Sequence, residues 1–112
     1  MRTHDPHRLA EERSLALHRR VAREIERDET IVPRAAKRIE AWRARGALHG
    51  EYAERWLRLL GGPRSELLRA LVDETEAGRA LRQSSPFSFV VPPRDRWRLW
   101  RQTRTRLESG TR

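Results

Sequence analysis

Apolar residues recur along this chain at intervals of three and four, the spacing of one face of an α-helix. Between Leu9 and Asp28, Leu17, Val21 and Ile25 repeat every four residues with Ala22 beside them. Arg19, Arg20 and Arg23 fall on other faces, so a long first helix ending near Asp28 is predicted. Val32, Ala35, Ala36, Ile39 and Trp42 trace a second helix over 31–45. Thr30 is its expected N-cap, and Pro33 falls in the first turn, where a missing N–H is harmless. Gly46, following Arg43 and Arg45, is its stop signal. His49-Gly50 breaks the chain. Tyr52, Trp56, Leu59 and Leu60 then form the stripe of a short helix ended by Gly61-Gly62-Pro63. Ser65 is the expected cap of a fourth helix carrying Leu67, Leu68, Leu71 and Val72, with a kink or break at 73–75. Ala77, Ala80 and Leu81 continue helically to about Gln83.

The stretch from Ser84 to Pro93 reads SSPFSFVVPP and carries no charge. Its prolines predict a loop or a short extended segment, with Phe87 anchoring it on the core and Phe89 and Val90 open to a partner, the alternative being that both Phe are core. Pro93 can open a last helix bearing Trp97, Trp100 and Leu107. The fold class is therefore all-α: a compact bundle or array of five to six short helices, with an uncharged Pro/Phe loop before the last one. Residues 1–8 read as a flexible lead-in, 9–108 as one helical domain and 109–112 as a frayed end.

Composition narrows the function. Of 112 residues, 37% are charged and 37% apolar, which suits thin amphipathic helices with solvated outer faces. Lys37 is the only lysine, so the formal net charge of +9 is carried almost wholly by arginine. Guanidinium groups make bidentate contacts to carboxylates and phosphates, which names two partner classes: an acidic protein surface and nucleic acid. The chain has no cysteine, excluding disulfides, thiolate metal sites and cysteine nucleophiles. No apolar run approaches a membrane span and the first residues lack a signal-peptide core, so the expected location is the cytoplasm, with no membrane partner.

No catalytic constellation emerges. His4 and His7 stand three apart without further ligands, His18 has no evident nucleophile, and Ser84-Ser85 have no neighbouring base. No metal, cofactor or catalytic residue is assigned, and the chain reads as a non-enzyme. Glu11, Glu12, Glu24 and Glu26 mostly lie one helical turn from an arginine, the spacing of surface ion pairs. Asp73, Glu74 and Glu76 form the one acidic knot, read as a solvated helix junction rather than a cation site.

Two basic clusters remain. Arg34, Lys37, Arg38 and Arg45 lie on the second helix; with Arg104 they are the candidate nucleic-acid contacts. On the last helix, 94–106 holds six arginines against one aspartate. Arg94, Arg98 and Arg101 share a side there and are the candidate partner-binding residues, together with Phe89 and Val90. Trp97 and Trp100 share a face that reads as core, the alternative being an interface. Arginine interleaved with aromatics serves both protein hot spots and stacked bases.

Three segments, RSLALHRRVA at 13–22, GRALRQSSPF at 78–87 and RWRLWR at 96–101, resemble a group of small bacterial proteins associated with toxin–antitoxin-like gene pairs. The resemblance implies a non-catalytic, antitoxin-like module that binds and neutralises a partner, an acidic toxin-like protein, through an arginine-rich face. The alternative is a DNA- or RNA-binding protein acting through phosphate contacts.

Overall fold

The computed structural model describes residues 6–110. Their fold is all-α, with six helices: α1 (Pro6–Arg27), α2 (Ile31–Ala44), α3 (Gly50–Gly61), α4 (Arg64–Leu71), α5 (Glu76–Gln83) and α6 (Pro93–Gly110). Residues 1–5 of the expected lead-in, including His4, and 111–112 of the expected tail lie outside the described residues. α1 starts earlier than periodicity alone predicts, because Pro6 can open a helix without forfeiting a needed N–H.

α1 is the axis of the array. α6 lies along one flank, α4 and α2 touch it elsewhere, and α2 pairs with α3. The body measures 45 × 29 × 24 Å. Its core joins Val21 and Ile25 of α1, Ile31, Ala35 and Ile39 of α2, Ala53 and Trp56 of α3, Leu67 and Leu71 of α4, Leu81 of α5, and Phe87 and Val91 of the loop.

Several stripes are rotated from their predicted positions. On α1 the buried face runs through Leu15, His18, Val21 and Ile25, and Leu17 is only half-buried. On α2 it is Ile31, Ala35 and Ile39, while Val32, Ala36 and Trp42 flank it. Tyr52 and Leu68 are likewise half-buried, with Ala53 and Leu67 inside.

The helix ends follow local chemistry. Thr30 occupies the N-cap position of α2, but its side chain caps nothing. Asp28 does the work there: its Oδ1 accepts from the Thr30 N–H at 2.9 Å and from the Thr30 hydroxyl at 2.7 Å. The hydroxyl and N–H of Thr30 hold the Asp28 carboxyl below the usual carboxylate range. Gly46 ends α2 at φ +72°, a left-handed conformation that glycine adopts without strain. Pro63, not Ser65, occupies the N-cap position of α4, with no side-chain cap. Between α4 and α5 the chain breaks, and Thr75 caps α5 by accepting from the Gly78 N–H at 3.2 Å.

Candidate functional site

α6 meets α1 through Leu99, Thr103 and Leu107, and Thr103 returns its hydroxyl to the Leu99 carbonyl at 2.8 Å. Three cross-helix contacts pin the pair. Arg20 reaches Asp95 at 3.3 Å, Arg106 reaches Glu12 at 3.2 Å, and the Arg13 guanidinium lies 5.5 Å from the centre of the Trp100 ring. Glu24 pairs one turn away on its own helix with Arg20 and Arg27, as the spacing predicts. Glu11 and Glu12 instead reach across the fold, to Arg79 and Arg106.

The two tryptophans of α6 part company, correcting the reading of both as core. Trp100 is half-buried beneath Arg13, whereas Trp97 is 58% exposed. Arg96 turns inward in its stead and donates to the carbonyls of Ser88 at 3.1 Å and Val91 at 3.3 Å. The loop needs those donors, because Pro86, Pro92 and Pro93 supply no N–H. Trp97, Trp100, Arg101, Arg104 and Thr105, with Arg13 opposite, line a groove of about 350 Å³. Arg94, Arg98 and Arg101 are all exposed on the side predicted for them. Arg98 has a distant pair with Asp95 at 3.9 Å, and no ion pair among the described residues engages Arg94, Arg101 or Arg104. Arg104 thus belongs with the Trp97 groove and not with the basic residues of α2.

The remaining candidates lie on the α2 side. Phe87 is fully buried, as expected of the loop's anchor. Phe89 and Val90 are half-buried against the core. Phe89 is covered by guanidinium groups, that of Arg34 at 4.4 Å and that of Arg38 at 5.6 Å from the ring centre. Arg34, Lys37 and Arg45 are exposed and Arg38 half-buried. Arg45 borders a separate depression of about 310 Å³ with Trp42, Leu48 and Ser85.

Sequence reasoning saw no partner for His18 or for Ser84-Ser85; the fold brings them together. His18 Nδ1 lies 2.7 Å from the Ser14 carbonyl, which only accepts, so this nitrogen carries the proton. Nε2 is then the acceptor, and the Ser85 hydroxyl donates to it at 2.8 Å. The Ser85 oxygen in turn accepts from the Phe87 N–H at 3.3 Å. Beside it the Trp56 indole N–H donates to the Ser84 hydroxyl at 3.1 Å, and that hydroxyl donates to the Leu81 carbonyl. The two serines therefore satisfy one buried heteroaromatic of α1 and one of α3. His18 is 2% exposed, and burial lowers its pKa to about 4, aided by Arg82 and opposed by the Ser14 bond. So acidic an imidazolium and so enclosed a ring suit a clamp rather than a general base.

Arg82 is the second buried polar group. It donates to the carbonyls of Leu71 and Asp73, which lie past the last intrahelical bonds of α4. Burial lowers its pKa. The acidic knot is a junction: Asp73 accepts from the Thr75 N–H at 2.9 Å, and its carboxyl is held low by bonds to Thr75. Among the described residues, no three His, Cys, Asp or Glu side chains gather into a metal-binding group. No described helix is long and apolar enough to cross a membrane. No family model, curated protein or solved structure matches the chain.

Proposed function

We propose that this chain is a non-catalytic protein-binding module of the antitoxin-like kind, which holds an acidic partner protein through the groove between α1 and α6. The observation that carries this reading is Trp97, exposed in a groove whose rim is arginine. An exposed indole gains free energy when a partner takes it out of water, and tryptophan and arginine are both enriched in protein hot spots. The charges of Arg94, Arg101 and Arg104, in no ion pair among the described residues, accelerate encounter with an acidic surface. The resemblance of three segments to antitoxin-like proteins supports the same reading.

Nucleic-acid binding is the second reading, favoured by the same mixture of indole and guanidinium. It is weaker at this groove because only one platform is open: Trp100 already carries Arg13 on its ring. Sequence-tolerant strand binding stacks successive bases on several aromatics.

The test is reconstitution with the protein encoded beside this one, followed by titration of single-stranded and duplex oligonucleotides over a range of salt. Trp97→Ala and the double change Arg98→Glu with Arg101→Glu should leave the circular dichroism unchanged and abolish the protein complex. Wild-type affinity in both variants sinks the proposal. Oligonucleotide binding with Trp97 quenching and a log–log salt slope near −0.9 per phosphate would install the second reading instead.

A further inference from the structure

The loop, α2 and α6 meet at Ser88 and Phe89: Arg38 and Arg96 reach Ser88, and Arg34 and Arg38 lie over the Phe89 ring. Arg38 Nη2 lies 3.3 Å from the Ser88 hydroxyl oxygen. Arg96 Nη2 lies 3.1 Å from the Ser88 carbonyl. Arg34 is drawn to the same place by stacking on the next residue, Phe89, at 4.4 Å from its ring centre. No ion pair among the described residues engages any of the three. The Asp28 carboxyl feels the charge of Arg34, and Asp95, next to Arg96, pairs with Arg20 and Arg98 instead. Gathering cations with no ion pair to a carboxylate among the described residues is unfavourable. Arg38 is held between the rings of Phe89 and Trp42, at 5.6 and 5.1 Å from their centres. The Nε atoms of Arg38 and Arg96 are buried without hydrogen-bond partners, so both guanidiniums are drawn into the surface rather than swept through solvent.

We infer that this junction is a binding site for a single phosphate-sized oxyanion, separate from the Trp97 groove. A guanidinium stacked on a ring keeps its in-plane N–H groups free, and that edge matches two oxygens of a phosphate at once. Arg34 supplies such an edge, and Arg38, whose Nε is buried and whose Nη2 reaches Ser88, offers its remaining Nη N–H groups. The exposed Ser88 hydroxyl accepts from Arg38 and has its own proton left to donate to a phosphate oxygen. Arg96 adds charge from beneath while it holds the loop. The ligand class is a phosphate dianion, either free or as a phosphomonoester carried by a larger molecule.

The test titrates inorganic phosphate into the full chain at constant ionic strength, with chloride as the compensating salt, read by calorimetry and by the thermal midpoint. Phosphate should bind saturably and raise the midpoint. Arg34→Gln and Arg38→Gln should each weaken binding about tenfold, the scale of one charge-assisted hydrogen bond. Arg101→Gln with Arg104→Gln, in the other groove, should leave it unchanged. Arg34 is exposed, so its variant folds whatever the fate of Arg38. Arg38→Lys keeps the charge, loses the fork and should bind more weakly. Free phosphoserine then separates the sources: affinity equal to or above that of phosphate identifies a monoester site, and phosphate alone identifies a free-anion site. Absence of saturation overturns the inference. So does equal weakening by the Arg101 and Arg104 changes, which would mean bulk charge attraction only. Failure of phosphate to bind leaves the protein complex of the Trp97 groove intact, so the two proposals fall separately.

Discussion

At the scale of single residues, the most consequential side chain is a histidine. His18 is neutral in the fold, with a pKa of about 4 against 6.5 in an exposed setting. The unfolded chain therefore binds a proton that the folded chain refuses throughout that interval. Stability from this group is complete above pH 6.5 and declines as pH falls toward 4. At 1.36 kcal/mol for each pH unit, the full loss is about 3 kcal/mol. Urea denaturation between pH 7 and 4 should show this decline in the wild type. His18→Gln, which has no titrating group there, should have a lower but flatter profile over pH 6.5 to 5. A wild-type profile that is already flat in that window would mean the ring is protonated at no cost, with Ser85 rotating to accept.

At the scale of elements, the helices were legible and their exact facing was not. Caps, glycines and prolines fall close to where the chain turns, since these signals depend only on near neighbours. The face that each helix buries depends on residues far away. A hydrophobicity pattern places Leu17 inward, but His18 takes that position because its acceptor nitrogen meets Ser85, 67 residues on. On α6 an aromatic reads as core and an arginine as surface. The proline-rich loop inverts that order by demanding the N–H groups of Arg96, which leaves Trp97 outside. Of the oxyanion junction, Arg34 and Arg38 were legible as part of the basic cluster of α2, but the loop's Ser88 and Phe89 and the inward Arg96 of α6 were not, because they come to that cluster only through the fold. The break between α4 and α5 gives a sharper test of element packing. A Cβ on Gly78 would stand 2.7 Å from the Asp73 Cβ and closer still to the Asp73 carbonyl oxygen. The backbone there is fixed by the Thr75 cap and by Arg82. Gly78→Ala should cost about 1–3 kcal/mol, as overpacking does, despite the better helix propensity of alanine. Thermal unfolding that is unchanged or raised would show that the 73–75 turn gives way freely.

At the scale of the whole molecule, the net charge of +9 sets the response to salt. The ion pairs among the described residues are partly or well exposed, and exposed pairs contribute little. Like-charge repulsion across the arginine faces is the larger long-range effect, and it is screened within roughly 10 Å at 0.1 M salt. Sodium chloride should therefore raise the thermal midpoint of the free protein while weakening its complex with an acidic partner. A midpoint that falls with added chloride would mean that the pairs binding α1 to α6 outweigh the repulsion.

The antiparallel seam between α1 and α6 also bears on how the protein is made. Glu12 meets Arg106, Arg13 meets Trp100 and Arg20 meets Asp95, so the seam joins early residues to late ones. On the ribosome α1 is synthesised before its matching flank on α6. At about 5–20 residues per second, that flank stays bare for on the order of ten seconds in every nascent chain. During this interval Glu12 faces solvent without Arg106, while Glu24 keeps its partners Arg20 and Arg27 on its own helix. The basic loop junction and the Trp97 groove do not yet exist, so any partner that needs them can engage only a chain extended through α6.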